Sequence, residues 1–235
     1  EMKGQSHALW LAREFLHGPM IVCFSDTLLD TDFSFLAHEE ADVVAWVMPM
    51  PDPRRFGVAE LDEKGWVTRF IEKPESMDNN LVVVGCYYFQ RAETLCKAIE
   101  KQMERNLTLK GEFFLTDTVT LMIEEGAKVR TQKAESWLDT GTIDATLETN
   151  KILLEGKANK KENVMVDGVE IIAPSFVHPS AEITNSVIGP YSSIGANCKI
   201  SNSWIEQSIV EAECEIQDAT LSRSLVGIKA TIRGR

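Results

Sequence analysis

The chain has 235 residues, of which 44% are hydrophobic, and a formal net charge of −12. This length suffices for one large or two moderate cores, and no apolar run approaches the ~20 residues of a membrane-spanning helix. Binding to the phosphates of nucleic acids needs a basic surface, which this composition does not supply, so we expect neither a nucleic-acid nor a membrane partner.

The first part of the chain alternates helical and strand patterns. The predicted elements, in chain order, are a helix over 6–16, a strand over 20–24, a short helix over 34–40, a strand over 42–48, a hairpin of 56–61 with 66–71, a strand over 81–89, and helices over 92–104, 117–125 and 143–155. Thr116 and Thr142 are predicted to cap the last two helices. This order is typical of an α/β domain with a mostly parallel sheet, which we assign to residues 1–156.

A different pattern follows a polar linker predicted at 157–170. Over residues 171–235, aliphatic residues recur every 16 or 17 positions in three series. The series are Val177, Ile194, Val210 and Val226; Ile183, Ile200, Ile216 and Ile232; and Ile188, Ile205 and Leu221. Small residues recur in the same way at Ala181, Cys198, Cys214 and Ala230. Three inward rows predict a three-sided prism, the hexapeptide-repeat left-handed parallel β-helix.

Two aspartates stand where a ligand could bind. Asp139 precedes the turn and Thr142 cap of the helix over 143–155, so it lies near helix N–H groups that can hold an anion. Asp26 follows the apolar strand over 20–24, and ligands of open α/β sheets bind beyond such strand ends. Either aspartate alone could be an ordinary turn or cap residue, but together they suggest a divalent cation.

Two further motifs are weak when taken singly. Proline ends a strand ladder at Glu72-Lys73-Pro74, which leaves two charged side chains at the edge of the sheet, and Gly57 could be only a bend at the entry of the hairpin. Taken alone, the first motif is better explained as a solvated strand end.

Their order and spacing carry more information. Seven short motifs follow one another along the chain. They are Gly4-x-x-x-Ala8, Ser25-Asp26-Thr27, Phe56-Gly57-Val58, Glu72-Lys73-Pro74, Val84-Gly85-Cys86-Tyr87, Gly111-Glu112 with Thr116-Asp117, and Trp137-Leu138-Asp139-Thr140-Gly141-Thr142. This series resembles sugar-1-phosphate nucleotidylyltransferases, and it looks most like glucose-1-phosphate thymidylyltransferases that carry a C-terminal β-helix. The resemblance implies a Rossmann-like fold and nucleotidyl transfer from a nucleoside triphosphate, most closely dTTP, to glucose 1-phosphate.

The resemblance also implies roles for particular residues. Asp26 and Asp139 would hold the catalytic Mg²⁺, and Lys73 would contact the sugar phosphate as the third catalytic residue. The substrate-binding residues would be Gly57, Glu72, Lys73, Val83, Gly85 and Tyr87.

Two departures from the family pattern bear on activity. The chain has no Gly-rich segment of the type G-G-x-G-T-R-L, and its isolated glycines suggest that the first strands of the nucleotide-binding half are missing. Ser25 and Thr27 flank the first aspartate, where the family usually has Gly and Asn. We therefore expect that the chain as given does not turn over.

Two other functional classes stay open at this point. The chain could be a non-catalytic paralogue that binds a sugar nucleotide or a partner subunit for regulation. It could also be a hexapeptide acyltransferase, for which His178 is the candidate base in the β-helix, although a polar corner residue explains His178 more simply.

The five cysteines indicate a reducing compartment. They show no C-x-x-C spacing, and no secretory leader precedes them, so we expect a cytoplasmic protein. As a separate expectation, the chain forms a homo-oligomer. Cys198 and Cys214 occupy equivalent positions in consecutive turns of the predicted β-helix. We expect both thiols to be buried and reduced.

Overall fold

The computed structural model describes residues 3–156, 163–166 and 168–234. Its contacts divide the chain into two compact units, Glu1–Trp137 and Leu138–Arg235. The predicted domain limits of 156 and 171 stay predictions, since half of the 157–170 linker lies outside the described residues. No helix in the described part of the chain is long and apolar enough to cross a membrane.

The first unit contains the predicted alternation of helices and strands. Its elements are helices α1 (Gln5–Leu11), α2 (Ala92–Glu104) and α3 (Leu115–Glu124), 3-10 helices at Arg13–Phe15 and Ser34–His38, and strands β1 (Met20–Cys23), β2 (Thr27–Asp30), β3 (Val43–Pro49), β4 (Gly57–Leu61), β5 (Val67–Glu72), β6 (Leu81–Phe89) and β7 (Val129–Lys133). Strand β8 (Ser136–Asp139) runs across the division between the units. The helix predicted over 6–16 ends at Leu11, where a 3-10 turn replaces it.

The central sheet has the order β5-β4-β6-β3-β7, and β1 also pairs with β6. The predicted α/β class with a mostly parallel sheet is confirmed, and β6 is a central strand that runs against its three neighbours. Within the described sheet only β3 and β7 pair in parallel, whereas β1, β3 and β4 each pair antiparallel with β6. Strands β1, β3, β4 and β7 therefore run in one direction, and the opposed strand β6 separates β1 and β4 from β3.

Strand β6 is buried on both faces, which explains its unbroken apolar sequence. Val83, Tyr87 and Phe89 belong to one core cluster together with side chains of α2 and α3. Val84 and Cys86 point into a second cluster around Trp46. The strand thus forms the centre of the unit, and its neighbours β4 and β5 bring the hairpin residues to it.

The second unit begins with helix α4 (Ile143–Glu155) and continues as a β-helix. As predicted, Thr142 caps α4, because its Oγ1 accepts a hydrogen bond from the Ala145 N–H at 3.2 Å. The strands are β9 (Val164–Val166), β10 (Val169–Ile171), β11 (Phe176–Val177), β12 (Glu182–Thr184), β13 (Ser186–Ile188), β14 (Ser193–Ile194), β15 (Lys199–Ser201), β16 (Trp204–Glu206), β17 (Ile209–Val210), β18 (Glu215–Gln217), β19 (Thr220–Ser222), β20 (Leu225–Val226) and β21 (Thr231–Arg233).

Three parallel sheets confirm the predicted β-helix. Their orders are β10-β13-β16-β19, β11-β14-β17-β20 and β12-β15-β18-β21, with β9 antiparallel at the edge of the first. The register stacks the predicted rows, for example Ile200 on Ile216 and Ile188 on Ile205. Cys198 and Cys214 are buried free thiols in the core, as expected.

Candidate substrate pocket

Glu72 is the most distinctive side chain of the first unit. It ends β5, directly opposite Gly57 of β4, and its Oε2 accepts a hydrogen bond from the Thr116 hydroxyl at 2.8 Å. Thr116 is buried at the start of α3, so one carboxylate oxygen is fixed by a donor from a different element. A carboxylate held in this way can accept hydrogen bonds from a ligand's hydroxyl groups.

Gly57 leaves the space that this contact needs. A Cβ atom at position 57 would lie 2.6 Å from Cγ2 of Thr116 and 3.0 Å from Oε2 of Glu72. Because Val58 pairs with Val82, Gly57 also lies beside Val83 on β6. Its role is therefore close approach of the backbone to the Glu72–Thr116 pair, rather than the hairpin bend that its position first suggested.

Burial dominates the electrostatics of this region. It raises the pKa of Glu72; the Thr116 hydrogen bond and the Lys73 charge oppose that rise, and Asp117 adds to it. Burial also raises the pKa of Asp117. Burial is the main cause that raises the pKa of Tyr87, and the Glu72 charge adds to it. The strand pairing brings Gly57, Glu72 and Val83 together, and Tyr87 lies further along β6 on the face of Val83.

Lys73 lies at the edge of this group. Its backbone is left-handed (φ 48°), and its N–H donates to the Phe56 carbonyl at 2.9 Å. The exposed Lys73 side chain places Nζ 4.5 Å from the centroid of the Phe114 ring, which is 5% exposed. A cation held over an aromatic face keeps its charge near the sheet edge, where it can attract an anion.

Gly85 connects the predicted pocket to the turn that carries Asp26. The Gly85 backbone is left-handed (φ 74°), and its carbonyl accepts a hydrogen bond from the Phe24 N–H at 2.9 Å. A Cβ atom there would lie 2.6 Å from the Phe24 ring. The Phe24 carbonyl accepts a hydrogen bond from the Thr27 N–H at 3.2 Å. This bond closes the turn around the exposed Asp26.

Asp139 occupies the end of β8 in the second unit. Its Oδ1 accepts a hydrogen bond from the Gly141 N–H at 2.9 Å, and its carbonyl accepts one from the Thr149 hydroxyl at 2.8 Å. The side chain therefore orders the turn before α4, as the sequence suggested. The sharing of one metal ion by Asp26 and Asp139 stays a prediction. Among the described residues, no group of three or more His, Cys, Asp and Glu side chains is arranged for a metal ion.

The sequence prediction of the pocket omitted Thr116 as a site residue and gave it the wrong role. Helix α3 begins at Leu115, with Phe114 as an N-cap residue that makes no side-chain cap hydrogen bond. The Thr116 hydroxyl donates to Glu72 instead. Its motif partner Asp117, half-buried beside Glu72, was also quoted without a role. The spacing Gly111-Glu112 to Thr116-Asp117 was the available signal.

A buried polar network holds the start of α3 in place. The Ser6 and Thr118 hydroxyl oxygens lie 2.7 Å apart, and Thr118 donates to the Gln102 side-chain oxygen at 2.6 Å. Gln102 donates through Nε2 to the Phe114 carbonyl at 2.9 Å. Each of these buried side chains has a hydrogen-bond partner, so the network holds the start of α3, and with it Thr116, in place.

His178, the candidate acyltransferase base, is engaged within its own turn. Its Nδ1 lies 2.8 Å from the Ser180 hydroxyl and accepts the Ser180 N–H at 3.2 Å. These contacts are those of a corner residue of the β-helix.

Comparisons with known sequences agree with this architecture. The sequence model of the nucleotidyl transferase family matches residues 1–156. A glucose-1-phosphate thymidylyltransferase of Streptomyces antibioticus is 33% identical over 196 residues, which cover 75% of this chain and 53% of that protein. One from Streptomyces griseus is 30% identical, covering 98% and 66%, and a low-salt glycan biosynthesis nucleotidyltransferase of Haloferax volcanii is 30% identical, covering 97% and 70%. The chain thus spans about half to two thirds of these relatives.

Solved structures share the fold at lower identity. A Bacillus anthracis structure described as a glucose-1-phosphate thymidylyltransferase has a TM-score of 0.54 and 21% identity, and the match covers 67% of this chain and 63% of that one. A nucleoside-diphosphate-sugar pyrophosphorylase of Vibrio cholerae has a TM-score of 0.54 and 18% identity, with coverages of 63% and 65%.

Proposed function

The chain belongs to the sugar-1-phosphate nucleotidyltransferase family, and from this premise we propose that it binds a sugar 1-phosphate at the Glu72 pocket for nucleotidyl transfer. The observation that carries this proposal is the half-buried Glu72 carboxylate, fixed by Thr116 over Gly57 with Lys73 beside it. The relatives named as glucose-1-phosphate thymidylyltransferases favour glucose 1-phosphate and dTTP as the substrates.

The pocket offers complementary groups to the two ends of a sugar phosphate. Glu72 can accept hydrogen bonds from sugar hydroxyls. Burial disfavours the charged form of this carboxylate, and hydroxyl donors from a bound sugar would stabilise that form in place of water. Val83 and Tyr87 are buried and support the apolar side of the proposed pocket from within the core, and the Lys73 ammonium is the group for the phosphate. Because the two charges lie on consecutive residues of one strand end, they can orient a single small ligand.

The proposed reaction needs alignment more than proton transfer. A phosphate oxygen of the sugar 1-phosphate forms a bond to the α-phosphorus of the nucleoside triphosphate, and the bond from that phosphorus to the bridging oxygen breaks, which releases pyrophosphate. The nucleophile is already an anion, so no general base is required. Lys73 neutralises charge on the sugar phosphate, and Glu72 holds the sugar in the orientation for in-line attack.

Mg²⁺ belongs to the proposal as a cofactor. Asp26 and Asp139 are the proposed ligands, and their hard carboxylate oxygens suit an ion that prefers one or two carboxylates together with substrate phosphates. When bound, Mg²⁺ would neutralise the charge of the triphosphate. The expectations of a homo-oligomer, a cytoplasmic location and an inactive chain as given all stay predictions.

The test measures binding, so it does not depend on turnover. We expect Lys73→Ala to weaken the binding of glucose 1-phosphate by about 10- to 150-fold, since a hydrogen bond to a charged group contributes about 1.5–3 kcal/mol. Lys64→Ala, in the turn of the same hairpin, is the matched control and should bind normally. Isothermal titration calorimetry gives both values, and equal affinities in the two variants would exclude this pocket.

A further inference from the structure

Cys23 and Cys86 form a close thiol pair in the sheet. They are direct partners across the antiparallel strands β1 and β6, and their Sγ atoms lie 3.4 Å apart. Both are free thiols. Cys23 is exposed, whereas Cys86 is fully buried. The proposed reaction uses neither of them.

The register of the two strands suits a covalent link between these residues. The Phe24 N–H donates to the Gly85 carbonyl at 2.9 Å, so the pair 24/85 is the hydrogen-bonded one. Such pairs alternate along an antiparallel ladder, which makes Cys23 and Cys86 a non-hydrogen-bonded pair. The Cα atoms of such a pair lie about 4.5 Å apart, within the ~4.4–6.8 Å range that a disulfide tolerates.

We propose that Cys23 and Cys86 are a redox modification site, at which a peroxide forms a cross-strand disulfide. The Cys23 thiolate attacks one oxygen of hydrogen peroxide, which gives a sulfenic acid and releases hydroxide. The Cys86 sulfur then attacks the Cys23 sulfur and displaces a second hydroxide, while the Cys86 thiol proton goes to hydroxide. In total, two thiols are oxidised to one disulfide, and the peroxide is reduced to two waters.

Two other sets of cysteines provide internal comparisons. Cys198 and Cys214 occupy equivalent places in neighbouring turns of the β-helix, but both are fully buried, so a peroxide cannot reach them to begin the reaction. Cys96 lies half-buried on α2, outside both pairs. Of the five cysteines, only the sheet pair combines an exposed residue with a partner sulfur within reach.

The disulfide would act on the proposed substrate pocket, and this step rests on the proposed function. Cys86 lies between Gly85 and Tyr87, and Cys23 precedes Phe24, whose ring packs on Gly85. Bonding shortens the distance between the two sulfur atoms from 3.4 Å to the ~2.05 Å of a disulfide, which changes the side-chain packing beside Gly85 and Phe24. We expect the oxidised chain to bind glucose 1-phosphate at least about tenfold more weakly and reduction to restore the affinity.

Peptide mapping tests the modification independently of any activity. The protein is treated with hydrogen peroxide under native conditions, alkylated, digested with trypsin without reduction and analysed by mass spectrometry. The expected product links peptide 14–54 to peptide 70–91, and free thiols fall from five to three. Cys23→Ser, at an exposed position, should abolish the link and protect ligand binding from peroxide, whereas Cys96→Ser should behave like the unsubstituted chain.

The outcomes separate the two steps. A Cys23 sulfinic acid without the linked peptides, or a link between Cys198 and Cys214 instead, would overturn the assignment of the modification site. A complete Cys23–Cys86 link with unchanged glucose 1-phosphate affinity would overturn only the effect on the pocket. If the reduced chain does not bind glucose 1-phosphate at all, the proposed function fails while the mapped disulfide still stands.

Discussion

The β-helix and the α/β unit use buried positions in opposite ways. In the β-helix each inward residue stacks on its counterpart one turn away, as Ile200 does on Ile216, and the same type of side chain recurs. In the α/β unit the pocket depends on unlike residues from different elements, such as Gly57, Glu72 and Thr116. Repetition therefore stabilises one region, whereas the exceptions to the apolar pattern mark the candidate site of the other.

The first prediction concerns the inward row of aliphatic residues in the β-helix, which we expect to serve stability alone. Ile205 is completely buried, and Ile205→Ala should lower the free energy of unfolding by about 2–5 kcal/mol through lost burial and a cavity. Trp204→Ala on the same strand removes an outward side chain that is 45% exposed. It should change the free energy of unfolding by about 0.5 kcal/mol or less. Urea denaturation gives both values. Similar losses in the two variants would contradict the inward register.

The second prediction concerns Asp139, a charged residue in the turn before α4. Asp139→Asn keeps an oxygen that can accept the Gly141 N–H but removes the charge. Loss of a residue that only hydrogen-bonds to a metal ligand lowers metal affinity by about 10–100-fold. Asp139 is proposed as a direct ligand, so its replacement should weaken Mg²⁺-dependent dTTP binding by about 100-fold or more. Asp144→Asn, at an exposed position in the first turn of α4, is the control. Calorimetry with and without Mg²⁺ measures both. Unchanged binding in Asp139→Asn would remove it from the proposed ligands.

The third prediction compares one glycine from each region. In Gly57→Ala the new methyl would meet Thr116 and Glu72, which should cost about 1–3 kcal/mol of stability and weaken glucose 1-phosphate binding. In Gly227→Ala the methyl meets nothing within 4 Å, so stability and binding should both persist. Thermal unfolding and calorimetry give the comparison, and a Gly57→Ala chain that binds normally would show that this close approach is unimportant for the pocket.

The smallest expected effect is a pH dependence of stability. Burial raises the pKa of Glu72, so the folded chain keeps this proton to a higher pH than the unfolded chain does. The stability that the proton contributes is complete below the unfolded pKa of about 4.3 and is lost as pH rises through the raised folded pKa. Glu72→Gln cannot ionise, so its stability relative to the unsubstituted chain should increase between pH 4 and pH 7.

Thermal unfolding midpoints across that pH range check this prediction. Glu63→Gln, at an exposed position in the hairpin turn, should show no such relative gain. A Glu72→Gln chain whose relative stability falls as pH rises would show that the ionised carboxylate is favoured in the fold.

Local sequence patterns suffice to predict most secondary-structure elements and the β-helix. Helix α2 and strand β6 have the predicted limits, and α4 has both its predicted limits and its Thr142 cap. The aliphatic rows of residues 171–235 stack as predicted. These features depend on neighbours within a few residues or on one fixed repeat, so periodicity, caps and turn residues suffice to define them.

The pairing of the strands and the role of Thr116 depend on contacts between residues far apart in the chain, and local sequence patterns do not predict them. The apolar sequence of β6 predicts a buried strand but not the direction of its neighbours. Burial on both faces gives the same apolar run with parallel and with antiparallel neighbours. Thr116 follows the pattern of a helix cap, yet its hydroxyl donates to Glu72, a residue 44 positions earlier. Local preference cannot predict such a partner, since the fold of the sheet and the anchored start of α3 bring the two side chains within 2.8 Å.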